Sequence, residues 1–234
     1  MPPDSASAST PHAQLPALLR RAVRAHETGR LEDALSLYRR FVDENPAHPT
    51  ALQLLGVLHS QRGEYEPAIR YMRESLRLFP EQAEVANNLG NALSRSGRAD
   101  EAVESYTQAV RLQPRYADAW RNLGLAELAR RRFPQATEAL ERCLELRPND
   151  ATAWLCLGNV HKRQSAFEAA IRCYEKALAL SPEYAEAHHN LGVCLRLTSR
   201  PEEALEHYDA AGRCGLNRAE LYHNLGNALC DTQR

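Results

Sequence analysis

The chain has 234 residues, and 29 basic against 30 acidic side chains leave a formal charge of −1. That balance excludes a generic nucleic-acid binder, which carries a basic excess or stripe, and apolar runs of only a few residues exclude a membrane span. Hydrophobic residues make up 44% but aromatics only 6%, so the core is built mainly from Ala and Leu, as in closely spaced helices rather than a β-sandwich. Residues 1–14 carry no basic segment followed by an apolar run, so no signal peptide is expected; they read as a disordered tail. From residue 15 the pattern becomes periodic. Gly56, Gly90, Gly124, Gly158, Gly192 and Gly226 fall 34 residues apart, as do Ala34, Ala68, Ala102, Ala136, Ala170 and Ala204, and Pro46, Pro80, Pro114, Pro148 and Pro182. Such a fixed period marks a repeat protein.

The register gives units 15–48, 49–82, 83–116, 117–150, 151–184 and 185–218, then a partial unit 219–234. Each full unit holds two amphipathic stretches of about 14 residues, roughly 20 Å long as helices. Gly29, Gly63 and Gly97 lie between the stretches, where a left-handed residue ends the first helix. The recurring Pro ends the second. Gly124 and Ala136 mark the close approach of paired helices, and Trp120, Leu123, Trp154, Leu157, Tyr106, Tyr174 and Tyr208 are expected inside. In the partial unit one helix, 219–231, is expected with no second to follow. Its stripe of Tyr222, Leu225 and Leu229 then wants cover, from a longer polypeptide or by self-association with another copy.

In unit 117–150 the core reads Trp120, Leu123, Gly124, Ala136, Leu140, Cys143 and Pro148; unit 151–184 reads Trp154, Leu157, Gly158, Ala170, Tyr174, Ala177 and Pro182. This resembles the tetratricopeptide repeat (TPR) family over nearly all of 15–234. Unit 15–48 is degenerate, with Arg21-Ala22 where Leu-Gly is expected. The resemblance implies an all-α fold, a right-handed α-solenoid of antiparallel helix pairs in which the first helices line the concave side.

Asn88, Asn122, Asn190 and Asn224 stand immediately before the Leu-Gly pair, and Asn91, Asn159 and Asn227 follow three residues later. An offset of three puts both series on one helix face. They either brace their neighbours or form a ladder of carboxamides along the groove; the register-fixed mid-helix position favours the ladder, since Asn is a mediocre helix former. A carboxamide offers one acceptor and two donors and can grip a peptide bond. Equivalent residues about 10 Å apart would each meet roughly every third residue of an extended peptide rising about 3.3 Å per residue. Asn88-Leu89-Gly90-Asn91-Ala92-Leu93 and Asn224-Leu225-Gly226-Asn227-Ala228-Leu229 are similar to the superhelical repeats of O-linked N-acetylglucosamine transferases. There an inner asparagine ladder holds protein substrates. The basic residues of a chaperone-tail carboxylate clamp are missing: Asn87, Asn91 and Asn122 are followed by Thr152 and Cys156.

Other polar chemistry is weaker. His188, His189 and His223 could line the groove, although metal ligands must converge at about 2 Å. Arg95, Arg121, Lys162, Arg163 and Arg196 alternate with Glu84, Asp118, Glu186, Glu220 and Asp231. Cys143, Cys156, Cys173, Cys194, Cys214 and Cys230 form no C-x-x-C pair and read as reduced core thiols of a cytoplasmic protein. No phosphate loop, nucleophile elbow or H-E-x-x-H pair is present. No catalytic residue, cofactor or metal ligand is therefore assigned. Three functions remain in view: a scaffold binding an extended protein segment in its groove, the substrate-recognition arm of a longer glycosyltransferase, sulfotransferase or oxygenase, and an enzyme complete in these residues. The first is favoured; nucleic-acid and membrane partners are not expected.

Overall fold

A computed structural model describes residues 15–216, and the expectations for 1–14 and for the helix at 219–231, with Asn224, Asn227, His223 and Cys230, lie outside them. The described residues form twelve α-helices and no strand: α1 (Ala17–Glu27), α2 (Leu31–Glu44), α3 (Pro49–Gln61), α4 (Tyr65–Leu78), α5 (Ala83–Arg95), α6 (Ala99–Leu112), α7 (Ala117–Ala129), α8 (Phe133–Leu146), α9 (Ala151–Arg163), α10 (Phe167–Leu180), α11 (Ala185–Leu197) and α12 (Pro201–Arg213). Each odd-numbered helix packs against the even-numbered one that follows, across a turn too short for anything but an antiparallel hairpin. The chain divides into two compact units, α1–α6 up to Leu112 and α7–α12 from Gln113. Within each, the second helix of one pair also packs on the first helix of the next.

The repeated glycine is a seat for a side chain on the paired helix. A Cβ on Gly158 would lie 2.5 Å from Cε1 of Tyr174, and one on Gly90 would lie 2.5 Å from Cε1 of Tyr106. Both tyrosines are buried. Leu140 takes the same seat on Gly124, and Ala136 sits beneath it with its carbonyl 3.3 Å from the same point. The expected close approach is therefore a buried side chain of the paired helix lying against a bare backbone. Leu123 and Leu157 are buried as expected, whereas Trp120 and Trp154 are only half-buried. Their indole Nε1–H groups reach out to the carbonyl oxygens of Pro114 and Pro148 at 2.9 Å, because a large amphipathic ring keeps its polar edge near a partner or water.

Cys143, Cys156, Cys173 and Cys194 are buried free thiols. Burial pushes Cys143 up to about 11 and Cys156 up to about 12, so they pack as small apolar residues.

Candidate functional site

The ends of α7 and α9, the start of α8 and the first half of α11 enclose a groove of about 510 Å³ in the C-terminal unit. Leu128, Ala129 and Phe133 supply its apolar wall; Arg131, Asn159, Lys162, Arg163, Glu186 and Asn190 supply its polar groups. Register explains the assembly. Asn159 and Lys162 are three apart on one face of α9, and Glu186 and Asn190 are four apart on α11.

These polar groups are wired together. The Tyr174 hydroxyl donates to Asn159 Oδ1 at 2.8 Å, and Asn190 Nδ2 donates to the same oxygen at 3.0 Å. The Lys162 ammonium donates to Asn190 Oδ1 at 2.6 Å, and Asn159 Nδ2 points toward Glu186 Oε1 at 3.5 Å. Asn190 differs from a carboxamide that only lines the groove: it is only 7% exposed. Its buried carboxamide joins α9 to α11, so it braces as well as lines the groove.

Asn91 has the same relation to its own unit, since the Tyr106 hydroxyl donates to Asn91 Oδ1 at 2.8 Å. The side chain of Asn88, half-buried on α5, makes no hydrogen bond to another described residue, and Asn122 is half-buried on α7. Asn91 and Asn159 hold a tyrosine of their own hairpin, and Asn190 joins two units, whereas Asn88 leaves its carboxamide uncommitted.

The tyrosine partnership has a sequence signature that the search for a ladder overlooks. Units 83–116 and 151–184 carry Asn and Tyr fifteen residues apart, at Asn91/Tyr106 and Asn159/Tyr174; units 49–82 and 117–150 carry apolar pairs there, Val57/Met72 and Leu125/Leu140. In unit 15–48, where the Tyr lacks the Asn, a residue one turn further on replaces it. At Tyr38 it is His26, whose Nδ1 lies 3.4 Å from the hydroxyl.

The histidines are distributed differently from the groove wall expected of them. His188 occupies the place of Trp120 and Trp154, and its Nε2–H donates to the Pro182 carbonyl at 2.9 Å. Its Nδ1 lies 3.0 Å from Nδ1 of His207. His189 stacks at a tilt near Tyr208. Arg121 is also removed from the groove chemistry: it pairs with Asp150 at 2.6 Å and Asp118 at 2.9 Å, while Arg147 also reaches Asp118 at 2.9 Å. Arg147, ahead of Arg121, holds the Asp118 carboxyl below its usual range. Asp150 additionally accepts from the Ala153 N–H at 2.9 Å, capping α9. Among the described residues no cluster of His, Cys, Asp and Glu could hold a metal, and no helix is long and apolar enough to cross a membrane.

Comparison with known proteins agrees with this architecture. Family models for the tetratricopeptide repeat match residues 17–83, 87–151 and 123–171, and a second such model matches 149–211. No curated protein matches the sequence. Among solved structures, MamA from Desulfovibrio magneticus RS-1 is similar at 25% identity over 71% of this chain and 94% of its own, with a TM-score of 0.67. YrrB, described as a TPR protein with an unusual peptide-binding site, is 22% identical over 80% of this chain and 96% of its own, with a TM-score of 0.67. Pseudomonas aeruginosa pilF is 21% identical over 88% of this chain and 94% of its own, with a TM-score of 0.76. With the family models spanning most of its length and the helix pairs in 34-residue phase, the chain belongs to the tetratricopeptide repeat family.

Proposed function

We propose that this protein is an interaction scaffold that holds an extended segment of a partner protein against its first helices. The observation that carries this reading is the groove over α7, α9 and α11, where an apolar wall of Leu128, Ala129 and Phe133 faces the carboxamides of Asn159 and Asn190. An apolar wall with a few convergent polar groups suits a peptide, because the wall takes side chains while amides take the backbone. Asn88 and Asn91 on α5 and Asn122 on α7 extend the same chemistry along their own units, and Asn224 and Asn227 would continue it beyond the described residues. Backbone gripping of this kind tolerates many ligand sequences. The comparison with YrrB, whose description names a peptide-binding site, supports the direction of the proposal without specifying the residues. A cytoplasmic setting is part of the same proposal, supported by the buried free thiols.

The test is titration of a fluorescein-labelled, end-capped pool of randomised octapeptides into the full-length protein and its Ala variants, read by anisotropy. Asn88→Ala should weaken binding several-fold, as expected for one hydrogen bond worth about 1 kcal/mol, with unchanged melting, and Asn122→Ala should weaken binding to a similar degree. Asn190→Ala should weaken binding and also lower the melting temperature, because it orphans the Lys162 ammonium. Undiminished affinity in the Asn88/Asn122 double variant would remove the carboxamides from the binding surface.

A further inference from the structure

Lys162 is one of only two lysines in the protein, and its surroundings do not neutralise it. The ammonium sits half-buried in the groove, and its hydrogen-bond acceptor is the neutral Asn190 carboxamide oxygen at 2.6 Å. Among the described residues it has no ion-pair partner. Burial, and after it the Arg163 guanidinium, lower its pKa from the ordinary lysine value against the opposing pull of Cys194 and Glu186. Arg131 and Arg163 line the same groove, also without ion pairs among the described residues, and the groove holds one acid, Glu186, which is exposed. On α7, by contrast, the cation is matched: Arg121 is held between Asp118 and Asp150. Three cations against one carboxylate leave this groove positive in a protein whose overall charge is close to zero.

A partly desolvated ammonium with only an amide oxygen for company loses hydration without recovering it from a counter-charge. An incoming anion restores the balance. Lysine has three donors and Asn190 uses one, so the ammonium can donate to a further oxygen without breaking its present bond. We infer that the groove around Lys162 is an acid-recognition subsite, taking a carboxylate of the bound protein segment between Lys162, Arg163 and Arg131. This rests on the groove being the binding surface, and it adds what chemistry the partner must carry: an Asp or Glu side chain, or a free C-terminal carboxylate. Glu186 opposes the incoming acid and sets how much of the positive potential is available.

The experiment uses four fluorescein-labelled octapeptide pools with randomised flanks on the full-length protein. Three are C-terminally amidated with a fixed central Glu-Glu, Gln-Gln or Lys-Lys pair; the fourth carries Gln-Gln and a free C-terminal carboxylate. The Glu-Glu pool should bind about tenfold tighter than Gln-Gln at low salt, and the ratio should shrink as salt rises. Lys162→Met should bring the ratio to about one, Lys162→Arg should keep it, and Glu186→Gln should raise it several-fold. Circular dichroism on each variant checks the fold, and the Arg and Gln variants keep the test decisive if the Met variant fails to fold. Tight binding of the free-carboxylate pool would assign the subsite to a C-terminus; preference for amidated Glu-Glu alone would assign it to a side chain. Equal affinity of the Glu-Glu, the amidated Gln-Gln and the free-carboxylate pools would overturn the acid preference and leave the groove standing. Absence of binding by every pool would overturn both.

Discussion

The two halves of the molecule build the same hairpin from different residues. In every repeat the turn between paired helices closes with one i−5 hydrogen bond at 2.9 Å, from Arg98 to Leu93 in the N-terminal unit and from Ala166 to His161 in the C-terminal one. The turn needs a left-handed residue just past the end of the first helix. Up to Leu112 that residue is glycine: Gly29, Gly63 and Gly97 have φ of 74°, 76° and 82°. From Gln113 it is Arg131, Ser165 and Ser199, with φ of 60°, 59° and 60°. The backbone demand is a property of the hairpin, and the C-terminal unit meets it against the steric preference of an L residue. Packing of the two helices, not the turn residue, sets the geometry.

If that is so, the helix–helix seat should dominate the turn energetically in both halves. Gly158→Ala and Gly90→Ala should each destabilise by about 1–3 kcal/mol, because the new Cβ meets a buried tyrosine ring that cannot withdraw. Gly56→Ala should cost somewhat less, since the Met72 side chain that it meets at 2.8 Å can change rotamer where a tyrosine ring cannot, and the Ala68 carbonyl at 3.2 Å sets the remaining cost. Urea denaturation of the three variants checks the order. Equal losses at Gly56 and Gly158 would mean that the ring is not what enforces glycine.

The turn comes next in size, and here the halves should respond with opposite signs. A Cβ at Gly63 meets nothing within 4 Å, so Gly63→Ala isolates the left-handed penalty and should destabilise by about 1 kcal/mol. Ser165→Gly and Ser199→Gly should gain up to about 1 kcal/mol, offset in part by the extra freedom of glycine in the unfolded state. Thermal melting of the single variants measures both. A loss of stability in Ser165→Gly would show that the serine hydroxyl adds something the backbone argument omits.

What the sequence makes legible follows the same division. The 34-residue phase and the helix pairing are repeated at every unit, so the starts at Pro49, Ala83, Ala117, Ala151 and Ala185 could be read from spacing alone. The left-handed position was readable where glycine marks it and silent at Arg131, Ser165 and Ser199, because a non-glycine residue carries no signature of positive φ. Exposure of the asparagines was harder. Asn88 and Asn190 share one register, yet Asn190 is buried because Lys162, 28 residues earlier on α9, supplies its donor. Spacing within one helix carries no sign of that partner; it appears only when neighbouring units are compared at offsets just short of the repeat. The groove at Lys162 is therefore a product of how units differ, and the periodic pattern averages such differences away.

The smallest expected effect also separates the halves. His188 donates its Nε2 proton to the Pro182 carbonyl, so a single proton lies between its Nδ1 and that of His207. In the N-terminal unit the same register positions hold Leu52 and Tyr71, or Ala86 and Ser105, none of which titrates near neutrality. Burial first, and then the His188 ring and Arg200, hold His207 below its ordinary pKa against the opposing pull of Glu203 and Glu206. The unfolded protein therefore takes up a proton at His207 before the folded one does. Stability contributed by this pair is complete above the unfolded value, about 6.5, and is lost as pH falls from there through the lowered folded value. Wild-type protein should melt at a progressively lower temperature than His207→Phe between about pH 7.5 and pH 5, with the difference flat above that range. Parallel melting curves for the two proteins across that range would mean that the paired rings accept a second proton without cost, and that the contact between α11 and α12 does not depend on sharing one.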